Sequence, residues 1–481
     1  MKGSCFVRTS PSYTASYRIH INEALSSLSK VVDSIADAGG QVKGLDVAQS
    51  DRGQIVLDLT CDVTDSAHRR LVKERVESLP GVTVSSVADQ TFLAHVGGKI
   101  EVAPKSPIRN RDDLSRVYTP GVARVCIAIH DTPEKAHLLT IKANTVAVVS
   151  DGTAVLGLGD IGPEAALPVM EGKAVLFKQF ADVDAWPVVL DTKDTEEIIA
   201  IVKAIAPAYG GINLEDISAP RCFEIEERLR AELDIPVFHD DQHGTAIVTL
   251  AALINALTLV GKKIEDVRIV VSGVGAAGSA IIKLLMAHGA TDIVGYGRDG
   301  ALSRTDVEGM HPSRAWLAQN TNPRCVTGSL KDGLKAADVF IGVSRADILD
   351  GDDIATMADN AIVFAMANPN PEVDPLAAAE HAAIVATGRS DFPNQINNVL
   401  AFPGLFRGLL DAKVREITTE LLRVAGVAIA SVISRDELSP NYIIPGVFDE
   451  RVSPAVSSAV RRAVRDLPHV NIPVQEGLET E

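Results

Sequence analysis

The stretch Arg268-Ile-Val-Val-Ser-Gly273-Val-Gly275-Ala276-Ala277-Gly278 leaves little freedom for the fold around it. An apolar run reads as a strand, the glycines follow in the pattern GxGxxG, and Ser279–His288 reads as a helix. Glycine permits the tight turn and lets the backbone approach a pyrophosphate, whose charge the helix N-terminus then stabilises. The bare pattern is common, and a Gly-rich turn need hold no ligand. Strand, turn and helix in this order predict a Rossmann-type unit with a dinucleotide on Gly273, Gly275, Ala276, Ala277 and Gly278.

At 481 residues the chain exceeds one compact core and fits two or three domains. Residues 13–95 alternate short strands and helices: Tyr17–Ile21, a helix over Ala24–Ala38, Val42–Val47, Ile55–Leu59, a helix over Ser66–Leu79, and Val82–Val87. The order βαββαβ predicts a ferredoxin-like sandwich, and it resembles an ACT domain, a regulatory module that often binds an amino acid. Element order fits equally a structural or dimerising appendage without ligand. A linker is expected over Ala103–Asn110, with Pro104 and Pro107. Beyond it, strand-like runs at Thr145–Val149, Trp186–Leu190, Ile212–Leu214 and Ile235–Phe238 alternate with helical patterns, as in a mostly parallel α/β sheet. The expected domains are 13–95 (ACT-like), 96–260 (α/β, catalytic), 261–400 (dinucleotide-binding) and 401–481, helices that pack back on the earlier domain.

A net charge of −17 argues against non-specific binding to nucleic acid or an anionic membrane. Five scattered cysteines without a CxxC pair point to reduced thiols, and the first twenty residues lack the apolar core of a secretory signal. Ala246–Val260, the most apolar long stretch, is too short to span a bilayer. A cytoplasmic protein is expected.

Two acidic pairs follow predicted strands: Glu215-Asp216 after Gly211–Leu214, and Asp240-Asp241 after Ile235–Phe238. Sites assemble at the carboxyl ends of strands in open α/β sheets. Two such pairs can converge on one hard cation, and an all-oxygen set favours magnesium or manganese. Singly, each pair is more often a solvated loop or helix cap, and His239 and His243 read as local structure. Lys173 falls on the apolar face of a helix through Val169, Leu176, Phe177 and Phe180, with Gly172 in its first turns. Such a lysine either snorkels to the rim or is held desolvated, which lowers its pKa towards that of a base. Tyr118, ahead of Thr119-Pro120-Gly121, is expected in an extended segment entering a turn. Asn368, Asn397 and Asn398 lie in segments with nearby prolines, where asparagine usually makes turns.

Taken together, Tyr118-Thr-Pro-Gly-Val-Ala, Glu171-Gly-Lys173, Leu214-Glu-Asp216, His239-Asp-Asp-Gln-His-Gly-Thr245 and Ile396-Asn-Asn-Val resemble, in order and spacing, the signature segments of malic enzymes. The resemblance covers roughly residues 95 to 465 and, with the N-terminal module, extends to bacterial malic enzymes that carry an ACT domain. It implies oxidative decarboxylation of L-malate to pyruvate with NAD(P) and Mg2+ or Mn2+. It implies metal ligation by Glu215, Asp216 and Asp241, and Lys173, paired with Asp240, as the base for the C2 hydroxyl. Tyr118 would protonate the enolpyruvate at C3, while Asn368 and Asn397 or Asn398 position the substrate. It also implies a homo-oligomer, a dimer or tetramer, with a small-molecule effector at the ACT module. One departure stands out: Asp151-Gly-Thr-Ala-Val-Leu-Gly-Leu-Gly-Asp160 lacks the malate-gripping arginine of eukaryotic-type enzymes. A metal-independent amino-acid or 2-hydroxy-acid dehydrogenase with ACT regulation, and a catalytically inactive ligand sensor, are the rival readings. For the cofactor, the strand Asp292–Gly297 ends in Gly297-Arg298 where NAD enzymes place a carboxylate. Arg298 suits a 2′-phosphate, whereas Asp299 could be brought round by a loop shift. Use of both cofactors, with NADP accepted, is expected.

Overall fold

The computed structural model describes residues 9–155, 157–305 and 307–467. Cys5, Leu156 and the end of the C-terminal helical segment lie outside the described residues. The chain divides into two compact units, residues 1–102 and 103–481.

The first unit runs β1 (Ser10–Asn22), α1 (Leu28–Asp37), β2 (Gln41–Asp51), β3 (Gln54–Val63), α2 (Ser66–Glu77), β4 (Val82–Asp89) and a one-turn α3 (Gln90–Leu93). The sheet is antiparallel in the order β2-β3-β1-β4, the arrangement expected of a βαββαβ sandwich. Alternate residues of β1 point one way, so Ala15, Tyr17, Ile19 and Ile21 meet Leu57, Leu59 and Cys61 of β3 under Val31, Ile35, Val72 and Val76 of the helices. The first helix starts at Leu28, later than Ala24, because Asn22 holds a turn. Its side chain accepts the Ala24 N–H, and its carbonyl accepts those of Leu25 and Ser26.

The second unit opens with α4 (Arg111–Val117), α5 (Val122–Asp131) and a one-turn α6 (Ala136–Leu139). Then β5 (Thr145–Ser150), α7 (Pro163–Ala181), β6 (Asp184–Val189), α8 (Thr195–Ile205), β7 (Gly211–Leu214), α9 (Arg221–Glu232) and β8 (Val237–His239) build a parallel sheet, β6-β5-β7-β8. A wide turn over Asp240–Gly244 feeds α10 (Thr245–Val260), which ends at Gly261. A second sheet follows through β9 (Arg268–Ser272), α11 (Ala276–Ala287), β10 (Asp292–Gly297), β11 (Gly300–Ala301), α12 (Pro312–Asn320), α13 (Leu330–Leu334), β12 (Val339–Gly342), α14 (Gly351–Ile354), β13 (Ile362–Ala365), α15 (Pro375–Ala379) and β14 (Ile384–Thr387). Its order is β11-β10-β9-β12-β13-β14, parallel except for the β10–β11 hairpin. The strand order reverses at β9, where a doubly wound sheet binds its ligand. Helices α16 (Phe402–Asp411), α17 (Thr419–Ala430) and α18 (Val452–Asp466) complete the described chain.

Two expectations need correction. The helix carrying Lys173 begins at Pro163, so Gly172 lies mid-helix and not in its first turns. The apolar stretch was expected to be too short for a bilayer, but the continuous helical run Asp240–Val260 has 21 residues and a mean hydropathy of 1.7, which suffices by length and composition. The reason for its composition is local: Ile247, Leu250, Ala251 and Leu253 are fully covered by protein, as in the central helix of a core.

Packing of α16 on α7 fixes the helix that carries Lys173. Phe177 meets Phe402 at 4.7 Å and Phe406 at 5.3 Å between ring centroids, and Phe406 meets Phe238 of β8 at 5.7 Å. Phe177→Ala should therefore cost about 3–5 kcal/mol, read as a lower unfolding midpoint; an unchanged midpoint would show that α16 does not hold α7.

Candidate active site

Parallel strands β7 and β8 deliver both acidic pairs to one sheet edge. Carboxylate oxygens of Glu215, Asp216 and Asp241 lie within 4.8 Å of one another. Glu215 and Asp216 are buried. Asp216 takes a left-handed backbone (φ 54°), and its N–H donates to Asp241 Oδ2 at 2.9 Å. Asn213 of β7 donates to Glu215 Oε2 at 2.9 Å. Lys173 reaches across from α7, its Nζ 2.9 Å from Glu215 Oε1 and 2.6 Å from Asp240 Oδ2, and 4.3 Å from the Phe402 ring centroid. Asn398, after β14, donates to Asp240 Oδ2 at 3.0 Å. The turn holding Asp240 needs Gly244, where a Cβ would stand 2.0 Å from Asp240 Oδ1.

The electrostatics follow from crowding. Burial, then the Asp240 and Asp241 charges, drive the Glu215 carboxyl well above the carboxylate range, although Lys173 opposes them. Burial and Asp241 push Asp216 up to about 7. For Lys173 the structure corrects the sequence expectation: the side chain is buried and does not snorkel, yet its pKa is raised and not lowered. Burial pulls the ammonium down, but the Asp240 and Glu215 carboxylates outweigh it.

These residues suit a divalent cation. Among the described residues Asp216 Oδ2 is buried without a hydrogen-bond partner, and three crowded carboxylates outnumber the single lysine among them. All donors are oxygens, the set that suits magnesium or manganese.

The dinucleotide turn suits its group equally. A Cβ at Gly278 would sit 1.8 Å from the Gly273 carbonyl and one at Gly273 (φ 99°) 2.6 Å from that of Val343, whereas one at Gly275 would meet nothing within 4 Å. Gly275 thus opens on a cleft of about 1640 Å³ between the strand ends of the second sheet and Ala219, Pro220 and Phe223, which follow the Glu215-Asp216 pair. Ala276 and Ala277 start α11, so its N-terminus points at this cleft. Arg298 and Asp299 line it too.

Other expected residues fall differently. Asn397 caps a short turn by accepting the Val399 N–H, which leaves Asn398 as the asparagine facing Asp240. Asn368 follows β13, is exposed, and lies between Gly157 and Gly388. Tyr118 is the C-cap of α4 and is 65% exposed; no hydrogen bond joins its hydroxyl to Lys173 among the described residues. His243 bonds Glu226 at 2.7 Å, in keeping with a local structural role.

Several supporting residues escaped the sequence reading. Glu226 is buried on the apolar stripe Cys222, Ile225, Glu226, Leu229 of α9 and holds both Gln242 and His243 of the wide turn. A carboxylate on such a stripe is the same signal that singled out Lys173. Asn213, polar inside a fully buried strand, is another. Arg221 braces the Asp151–Asp160 segment, donating to Asp151 at 2.8 Å and Thr153 at 3.0 Å.

Comparison with known proteins decides the kind of chemistry. The family described as "Malic enzyme, N-terminal domain" matches residues 97–230, and "Malic enzyme, NAD binding domain" matches residues 242–465. This chain belongs to the malic enzyme family. A Geobacillus stearothermophilus protein named NAD-dependent malic enzyme is 58% identical over 446 residues, 93% of each chain. A Bacillus subtilis bifunctional malic/malolactic enzyme is 56% identical, covering 77% of this chain and 90% of its own. The crystal structure of the NAD-dependent malic enzyme of Thermotoga maritima superposes with a TM-score of 0.75 at 50% identity, over 78% of this chain and 99% of that one. The enzyme is accordingly an NAD(P)-dependent, divalent-metal-dependent oxidoreductase that oxidatively decarboxylates malate.

The carboxylate cluster sets a pH dependence. Below about 7 the Asp216 carboxyl holds a proton in the metal-free protein, so cation binding must expel it and should weaken as pH falls from about 8 to 6. Titration calorimetry with Mn2+ should show this, and Asp241→Asn should weaken Mn2+ binding at both pH values. Equal affinity of variant and wild type would remove Asp241 from the ligand set.

Proposed function

We propose that Lys173 and Tyr118 are the proton-transfer groups of malate decarboxylation, acting beside the Glu215, Asp216 and Asp241 carboxylates. The observation that carries this reading is the buried Lys173 ammonium bridging Glu215 and Asp240 at the edge of the carboxylate cluster. Glu215, Asp216 and Asp241 would hold a divalent cation, which would supply Lewis acidity for negative charge developing on the C2 oxygen. Neutralisation of Glu215 removes one of the two charges that keep Lys173 protonated, and burial then favours the free amine. Lys173 would accept the C2 hydroxyl proton, and a dinucleotide in the Gly-rich cleft would supply the acceptor for the C2 hydride. Asp240, held by Asn398, orients that amine and stabilises the ammonium formed. The C3–C4 bond then breaks, carbon dioxide leaves, and Tyr118 donates a proton to C3 of the enolpyruvate. Asn368 and Asn398 orient the substrate carboxylates.

Tyr118 completes this site from a second copy of the chain. Its side chain is exposed, and Leu114, Val117, Ile127 and Ile141 expose apolar surface on and beside the same helices. Neither α4 nor α5 has a buried residue, which marks a face made for a partner. A homodimer is the smallest assembly that covers it.

The first unit acts as an ACT-type regulatory module that takes a small effector such as an amino acid. Its support is the antiparallel βαββαβ sheet, compact and with a core of its own. The unpaired Cys61, Cys126, Cys222 and Cys325 suit a reducing cytoplasm.

Lys173→Ala should abolish malate oxidation, and normal kcat in that variant would sink the base assignment. Tyr118→Phe should impair protonation of the enol. Co-expressing the two variants tests the shared site: mixed dimers then carry one intact site, giving about a quarter of wild-type activity. If both residues came from one chain, mixing would restore nothing. Removing residues 1–95 should leave turnover with malate largely intact and abolish the response to an amino-acid effector. Identical responses with and without the segment would leave it a structural role.

A further inference from the structure

The adenosine end of the dinucleotide cleft contains a cation that the sequence did not single out. Gly297 ends β10, the position where NAD enzymes place a carboxylate to accept from both ribose hydroxyls. A Cβ at Gly297 would stand 2.8 Å from Arg314 Nη2 and 3.5 Å from its Cζ. The guanidinium of Arg314, projecting from the first turn of α12, therefore fills the space that a strand-end carboxylate would need. Its Nε is buried and without a hydrogen-bond partner among the described residues. Its contact with Asp299 is long, 3.4 Å, and that carboxylate is 87% exposed. Arg298 is exposed at the rim. Among the described residues, the lining of the cleft sets Arg298, Arg304, Arg314 and Arg345 against one carboxylate, Asp299, while Lys331 is already paired with Asp353 at 2.7 Å, although the whole chain carries a charge of −17. So local a reversal of sign calls for a polyanionic ligand.

We infer that Arg314 is the specificity-determining residue for the cofactor, and that it reads the 2′-phosphate of an adenine dinucleotide phosphate in the space Gly297 leaves free. A planar guanidinium matches a phosphate through two parallel hydrogen bonds, and the orphaned Nε supplies a donor that the protein itself leaves unused. Loss of the carboxylate at position 297 and gain of Arg314 act together: the first removes the acceptor for the NAD ribose and the repulsion of a phosphate, the second adds the attraction. This inference rests on the cleft being the dinucleotide site.

The test is equilibrium binding, followed by calorimetry in the absence of malate, with 2′,5′-ADP, 5′-AMP, NADP+ and NAD+ as probes. The wild type should bind 2′,5′-ADP at least about tenfold more tightly than 5′-AMP, since a charge-assisted pair to phosphate has that worth. Arg314→Ala should remove that preference and leave 5′-AMP binding unchanged, while Arg298→Ala should reduce it less. Gly297→Asp, which forces Arg314 aside, should turn the preference towards NAD+. Equal binding of the two fragments by the wild type, or a preference surviving in Arg314→Ala, overturns the assignment of Arg314. Absence of binding by any of the four probes instead overturns the dinucleotide site, and the inference with it.

Discussion

Charge crowding at the ends of β7 and β8 is the constraint to which the rest of the second unit answers. Buried Glu215, Asp216 and Asp240 and the half-buried Asp241 converge against one lysine. Leaving one such charge unpaired after losing its partner costs about 3–5 kcal/mol, so the surroundings must either supply countercharge or raise the pKa values. Both happen here. Lys173 is held protonated against its own burial, and Glu215 and Asp216 are driven upward. That residual excess of negative charge favours a divalent cation over an empty site, and it couples cation binding to proton release.

Holding such a cluster together requires a scaffold that resists its repulsion. Short parallel strands provide it, since their backbone groups are paired and all residues of β5, β7 and β8 are buried. Behind the wide turn, Glu226 accepts from Gln242 and bonds His243; burial would raise its carboxyl, but His243, His239 and Arg230 beside it hold it below the usual range. On the other side, the Phe177–Phe402–Phe406 stack prevents α7 from drawing Lys173 away.

Much of this was legible in the residues. The Gly-rich turn announced the second sheet because each of its glycines meets a backbone restriction: Gly278 has no room for a Cβ, Gly273 has a positive φ, and Gly275 faces the cleft. The acidic pairs were legible because strand ends are where sites gather. The Lys173 environment was half legible. Helical periodicity placed the side chain inward, but the direction of its pKa depended on carboxylates 42 and 67 residues downstream, Glu215 and Asp240, which no local pattern reveals. Arg314 was invisible for the same reason, since its importance lies in occupying the space beside Gly297. Helix boundaries missed where a side chain intervened, as Asn22 does before α1. Tyr118 was expected in an extended segment, but it caps α4 with a backbone that is not extended (φ −126°, ψ −121°), and periodicity could not tell that its surroundings would be open.

The chain passes between the two sheets of the second unit in ways that converge on Asp240. Helix α10 begins beside Asp240-Asp241 and ends at Gly261, a few residues before β9. The return path leaves β14 and reaches Asn398, whose amide grips Asp240 Oδ2 before α16 packs on α7. The same carboxylate holds Lys173. On the proposed assignment hydride transfer would need a nicotinamide at one sheet to reach a substrate at the other, and misplacement by about 1 Å can cost about a hundredfold in rate. Because both connections end on Asp240, which holds Lys173, any displacement of the dinucleotide sheet is felt at Asp240 and Lys173. Lys173 and the dinucleotide cleft are thereby held in register by the same two connections.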